Sequence, residues 1–149
     1  MSRDLLLKLE LRSDPSMLCV VRAMMEQLTE VFGFTAAECR SVTRAVDEAL
    51  TNIMRHAYRG QLDRPIEVFC GRVAHRAGGE RGDGLEVLLS DEGPEVDPAK
   101  LRGRRLDEIK PGGLGLHFIR QSMDVVEFKR AKGKNELRLI KYLQPAKTS

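Results

Sequence analysis

The stretch that most constrains this fold is residues 44–58, Arg-Ala-Val-Asp-Glu-Ala-Leu-Thr-Asn-Ile-Met-Arg-His-Ala-Tyr. At about 100° per residue, Val42, Ala45, Val46, Ala49, Leu50, Ile53 and Ala57 fall on one broad apolar stripe, so the segment reads as a helix packed on a core. Glu48 and Asn52 stand at the edge of that stripe, spaced i, i+4, with His56 one further turn along. The spacing points these side chains the same way, up a single groove. A carboxylate and an amide held there can orient a metal or a nucleophile; they are also what an ordinary solvated helix edge carries. Thr35-Ala36-Ala37-Glu38 is a capping box, in which a hydroxyl and a glutamate satisfy each other's backbone donors, and it starts this helix.

The rest of the chain supplies a sheet for the helix to cover. Leu5, Leu7, Leu9 and Leu11 recur with period two, the pattern of a strand with one buried face. Ser13 or Asp14 then caps a helix with Pro15 at an early position, and Met17, Leu18, Val21, Met24, Met25, Leu28, Val31 and Phe32 recur at helical spacing up to Gly33. Residues 59–65 break the periodicity. Ile66, Val68 and Cys70 form a second strand, residues 76–84 with Gly78, Gly79, Gly82 and Gly84 read as a flexible hairpin connection, and residues 85–89 form a third. That strand stops at Ser90-Asp91-Glu92-Gly93-Pro94.

Residues 95–111 are long for a connection and carry Arg102, Arg104, Arg105 and Lys110, which favours a binding loop or lid, with Arg105 and Lys110 as phosphate-closing candidates. Gly112-Gly113-Leu114-Gly115-Leu116 opens a third helix through Phe118, Ile119 and Met123. Residues 125–130 and 136–142 alternate as two final strands about the turn Lys132-Gly133-Lys134-Asn135. The expected architecture is α/β: a two-layer sandwich, its mixed, mostly antiparallel sheet covered on one face by helices, in a single domain over 1–149.

Composition excludes several classes. The 149 residues suffice to bury roughly 70% of the unfolded surface in one unit. A formal net charge of +3, with no basic arm, gives no argument for nucleic acid. The three cysteines, Cys19, Cys39 and Cys70, are too scattered for a disulfide framework or a zinc site and read as small core or boundary residues. The apolar run near the N-terminus is too short for a signal peptide or a membrane span, so the expectation is a cytoplasmic protein without a membrane partner.

Three elements remain that could carry chemistry: Glu48 with Asn52, Asp91 with Gly93, and the glycine-rich turn at 112–116. A helix N-terminus behind glycines suits phosphate. Its dipole contributes at most ~2 kcal/mol, while micromolar affinity needs about 8 kcal/mol, so a metal ligand and a base-reading acceptor are required as well. Asn52 could supply an amide oxygen to Mg²⁺, and Asp91 an acceptor for an exocyclic amine. Taken singly, each element has a plainer reading: a helix edge, a turn after a strand, and a glycine segment lacking the Walker lysine and the dinucleotide fingerprint. His56, with no second His or Cys at metal spacing, is read as structural.

Together, in this order, the three resemble the motifs of the GHKL ATPase superfamily. Asp47-Glu48-Ala49-Leu50-Thr51-Asn52 with His56-Ala57-Tyr58 looks like its N box, Asp91-Glu92-Gly93 its first glycine box and Gly112-Gly113-Leu114-Gly115-Leu116 its second. The form Asp91-Glu92-Gly93-Pro94 and the segment at 106–116 are most similar to the anti-sigma-factor serine/threonine kinases of bacterial partner-switching systems. The resemblance implies a Bergerat-type ATP-binding fold, with Asn52 on Mg²⁺, Asp91 on the adenine amino group, and Gly93, Lys110, Gly112, Gly113, Leu114, Gly115 and Leu116 around the nucleotide. It implies Glu48 as the general base that takes the proton of a substrate serine or threonine. The implied partners are an anti-sigma-factor antagonist, a sigma factor and a second copy in a homodimer. The alternative is a nucleotide-dependent binding module that sequesters a sigma factor or other regulator without phosphorylating anything. Glu95 is a departure, standing where the wider superfamily often has a second glycine.

Overall fold

A computed structural model of the chain describes residues 4–77, 80–95 and 113–144. The elements run β1 (Asp4–Arg12), α1 (Leu18–Phe32), α2 (Ala36–Asn52), β2 (Pro65–Ala77), β3 (Glu80–Asp91), α3 (Gly113–Ser122), β4 (Val125–Ala131) and β5 (Lys134–Tyr142). This is the expected order of strands and helices. The five strands form one sheet in the order β1-β2-β3-β5-β4. Every neighbouring pair is antiparallel, so the sheet is simpler than the mixed one expected. The expected α/β sandwich is otherwise what forms.

Local chemistry sets the helix ends. Asp14 accepts a hydrogen bond from the Ser16 N–H at 2.9 Å, ahead of a short 3-10 turn at Pro15–Met17 that leads into α1. That bond holds the Asp14 carboxyl below its ordinary range. Gly33, at φ 109°, closes α1 in the left-handed region where a side chain would be strained. The capping box of α2 is complete: Thr35 Oγ1 accepts from Glu38 N–H at 3.2 Å, and Glu38 Oε1 accepts from Thr35 N–H at 3.0 Å.

The helices lie against one sheet face. Val42, Ala45, Val46, Ala49 and Leu50 of α2 share a core with Ile66, Val68 and Cys70 of β2, Leu85, Val87 and Leu89 of β3, and Leu137 and Leu139 of β5. Val21, Met25 and Phe32 anchor α1, but Val31 is exposed, outside the stripe expected of it. Cys70 is buried and its thiol pushed up to about 12 by desolvation, whereas Cys19 is exposed rather than a core residue.

Two expectations about length fail. The connection expected at 76–84 is largely ladder: β2 and β3 pair continuously from Ile66↔Asp91 to Ala77↔Glu80. Glycine there serves packing, since a Cβ on Gly84 would lie 2.6 Å from the Tyr142 ring. The α-helix expected through Tyr58 stops at Asn52 and continues as a π-helical turn, Ile53–Ala57.

Candidate functional site

α2 carries Glu48 and Asn52 to the sheet end where β3 finishes. Both side chains are half-buried, and among the described residues neither forms a hydrogen bond or ion pair. Their neighbour Asp47 points instead toward α1, 3.7 Å from Arg22 Nε. The π turn then widens the helix just past Asn52, a distortion common at functional sites. It breaks the i, i+4 register expected to continue to His56, which is exposed and apart from the groove. The same turn delivers Ala57 and Tyr58 inward.

Tyr58 ties this helix end to the turn after β3. Its hydroxyl donates to Pro65 O at 2.5 Å and accepts from Glu92 N–H at 2.6 Å. Burial holds the phenol above its ordinary range, against the opposing pull of the Glu92 N–H, so it stays a neutral donor. Gly93 packs directly on the helix end. A Cβ there would sit 2.8 Å from Ala57 Cβ and 2.9 Å from Asp91 Oδ1, closer than side chains pack, and 3.2 Å from Ala57 O. Two separate sequence motifs thus become one surface.

Asp91 emerges by strand alternation. It follows Leu85, Val87 and Leu89 at period two, so its carboxylate lies on the helix-covered face at the strand end, and it is buried. Asp91 Oδ1 accepts from the Gly93 N–H at 2.8 Å and from Asn135 Nδ2 at 3.0 Å. Oδ2 has no donor among the described residues. Asn135 lies opposite Asp91 in the β3–β5 ladder and also reaches Gly93 O at 3.3 Å and Pro94 O at 2.9 Å. Arg130, opposite Asn135 on β4, donates to Gly93 O and to Asn135 Oδ1, each at 3.0 Å. Asn135 and Arg130 are the residues that sequence reasoning missed. The available signal was an amide at 135, in phase with Leu137 and Leu139, where an inward apolar side chain would be usual.

Gly113, Leu114, Gly115 and Leu116 form the first turn of α3, with Leu116 half-buried. The helix ends just before Val125, which pairs with Ile140 far from the Asp91↔Asn135 end. α3 packs on α2, where the Arg44 guanidinium lies 4.0 Å from the Phe118 ring centroid. Glu95 is exposed. Arg102, Arg104, Arg105, Lys110 and Gly112 lie outside the described residues.

As a fit for nucleotide and magnesium, this arrangement offers an amide and a carboxylate unpaired among the described residues, a cradle that a Cβ would fill, and a fixed carboxylate with one oxygen that no described donor meets. Among the described residues no cluster of three His, Cys, Asp or Glu side chains could hold a metal by itself. That suits an ion that arrives with phosphates and keeps water in its shell. No described helix is long and apolar enough to cross a membrane.

Comparison with known proteins identifies the family. The family model described as a histidine kinase-like ATPase domain matches residues 11–141. The serine-protein kinase RsbW of Bacillus subtilis is 27% identical over 145 residues, covering 92% of this chain and 85% of that protein. RsbW of Halalkalibacterium halodurans is 29% identical over 135 residues, covering 84% and 75%. A crystal structure of the RsbU and RsbW domains of a Mycobacterium tuberculosis protein superposes with a TM-score of 0.60 at 16% identity. The superposition covers 96% of this chain but 34% of that longer one, and the likeness is one of fold.

Proposed function

We propose that this chain, which belongs to the histidine kinase-like ATPase domain family, is an ATP-dependent serine/threonine protein kinase of the anti-sigma-factor type. It binds a regulatory partner and phosphorylates a serine or threonine of an anti-sigma-factor antagonist. The observation that carries the reading is the pairing of two states of readiness: among the described residues, Glu48 and Asn52 are unpartnered on α2, and Asp91 is locked through Oδ1 with no donor on Oδ2. Relatives named serine-protein kinase RsbW over most of their length support the reaction type.

Each residue then has a task. Asp91 Oδ2 accepts from the adenine amine, while Gly93 leaves room for the base beside Ala57. Asn52 would give its amide oxygen to a magnesium ion, and Gly113, Leu114, Gly115 and Leu116, with Gly112 and Lys110 as the resemblance implies, would serve the phosphates. Bound magnesium would supply charge neutralisation on the phosphate oxygens. Glu48 takes the proton from the protein hydroxyl as that oxygen bonds to the γ-phosphorus and the bond to the ADP leaving oxygen breaks. A single domain over 1–149, a cytoplasmic setting, a sigma factor as second partner and a homodimer complete the proposal.

The test is to incubate the protein with magnesium and ATP labelled at the γ-phosphate, together with antagonist proteins encoded nearby. Transfer of label to a serine or threonine is the expected result. No label in any of them, alongside ATP-dependent capture of a sigma factor, would replace the kinase with the binding module.

A further inference from the structure

The reading above gives Asp91 to the adenine amine and leaves Asn135 and Arg130 without a role. We infer that Asn135, oriented by Arg130, is a positioning residue that makes this site selective for a 6-amino purine. The inference rests on the nucleotide reading and extends it to which base is accepted.

The hydrogen bonds around Asn135 run in one sense. Its Oδ1 accepts from the Arg130 guanidinium at 3.0 Å, which turns Nδ2 toward Asp91 Oδ1, Gly93 O and Pro94 O. A flipped amide would set its oxygen against three acceptors and its NH₂ against a cation, so neither side tolerates the exchange. Arg130 has no acceptor capacity and is always charged, which makes it a fixed reference for that choice. Asn135 is buried, at 6% exposure, so water does not replace a lost partner freely.

The consequence falls on Asp91. With Gly93 N–H and Asn135 Nδ2 both on Oδ1, the carboxylate cannot rotate without losing two donors, and Oδ2 is presented in one direction as an acceptor only. A 6-amino purine offers that oxygen an N–H. A 6-oxo purine offers it an oxygen, and the carboxylate is left facing a like partial charge. Without Asn135 the carboxylate can turn or take up water, and its preference weakens.

Equilibrium binding of Mg-ATP and Mg-ITP to the intact chain tests this. Wild-type protein should prefer ATP by about tenfold to a hundredfold, the range for leaving one buried polar group unmatched. Asn135→Leu should cut that preference by about tenfold through loss of ATP affinity, with ITP affinity held within about twofold. Arg130→Gln, on the exposed edge strand, should cut it by about threefold and serves if Asn135→Leu folds poorly. Equal loss of both nucleotides in Asn135→Leu, or an unchanged preference in both variants, would overturn the inference and leave Asn135 a clamp on the turn. Wild-type protein that binds neither nucleotide overturns the nucleotide reading itself, a result distinct from either variant's.

Discussion

Around Asp91, two backbone carbonyls, a carboxylate oxygen and a backbone N–H are all matched to protein groups within 3.3 Å. Around Glu48 and Asn52, half-buried on α2, no described residue hydrogen-bonds or ion-pairs with either side chain. The first region is finished by folding, and its geometry exists before any ligand arrives. The second is left open by the described residues, as a site that receives partners would be. A base that is always the same can be met by a preorganised acceptor, whereas a metal, a phosphate chain and a protein hydroxyl arrive and leave in every cycle.

The contrast can be broken most directly at Glu48. Glu48→Gln should lower label transfer by about a hundredfold or more while ATP affinity stays within about threefold. Asn52→Ala should instead weaken magnesium-dependent ATP binding by about tenfold, read as the difference in affinity with and without the metal. Neither should lower the unfolding midpoint, because neither side chain has a partner among the described residues; a clear drop in either variant would show that the open region is part of the scaffold after all. Gly93→Ala sharpens the other side. Its Cβ would crowd Ala57 and Asp91 Oδ1, and overpacking of this kind costs about 1–3 kcal/mol, measurable by denaturant unfolding, with ATP affinity falling in parallel. Thr35→Ala, at the far end of α2, removes one cap for about 1 kcal/mol and should leave ATP affinity unchanged.

What the sequence disclosed follows the same division. The apolar period of α2, its capping box and the alternation that puts Asp91 inward are local patterns, and each is written in adjacent side chains. The π turn is not, because Ile53–Ala57 contains no residue type that separates it from α-helix; the widening accompanies the packing of Ala57 and Tyr58 against the Gly93 turn, which is distant in sequence. The long β2–β3 ladder was hidden because backbone groups make it, and glycines and charges that read as loop chemistry do not prevent it. Asn135 was legible only as part of a turn, since its partners lie 41 to 44 residues away. The fold was therefore readable nearly throughout, and the site was readable where its residues act singly.

The strand order has a kinetic meaning. β2 and β3, like β4 and β5, are close in sequence and can zip locally, but β3 meets β5 only after the intervening chain has closed, and Asp91 to Asn135 spans 44 residues. On the proposed reading, the base-reading end of the site sits on this non-local seam between two hairpins. Chain closure and the acquisition of nucleotide affinity would then be the same event, and a partly folded chain with both hairpins intact would be blind to its ligand.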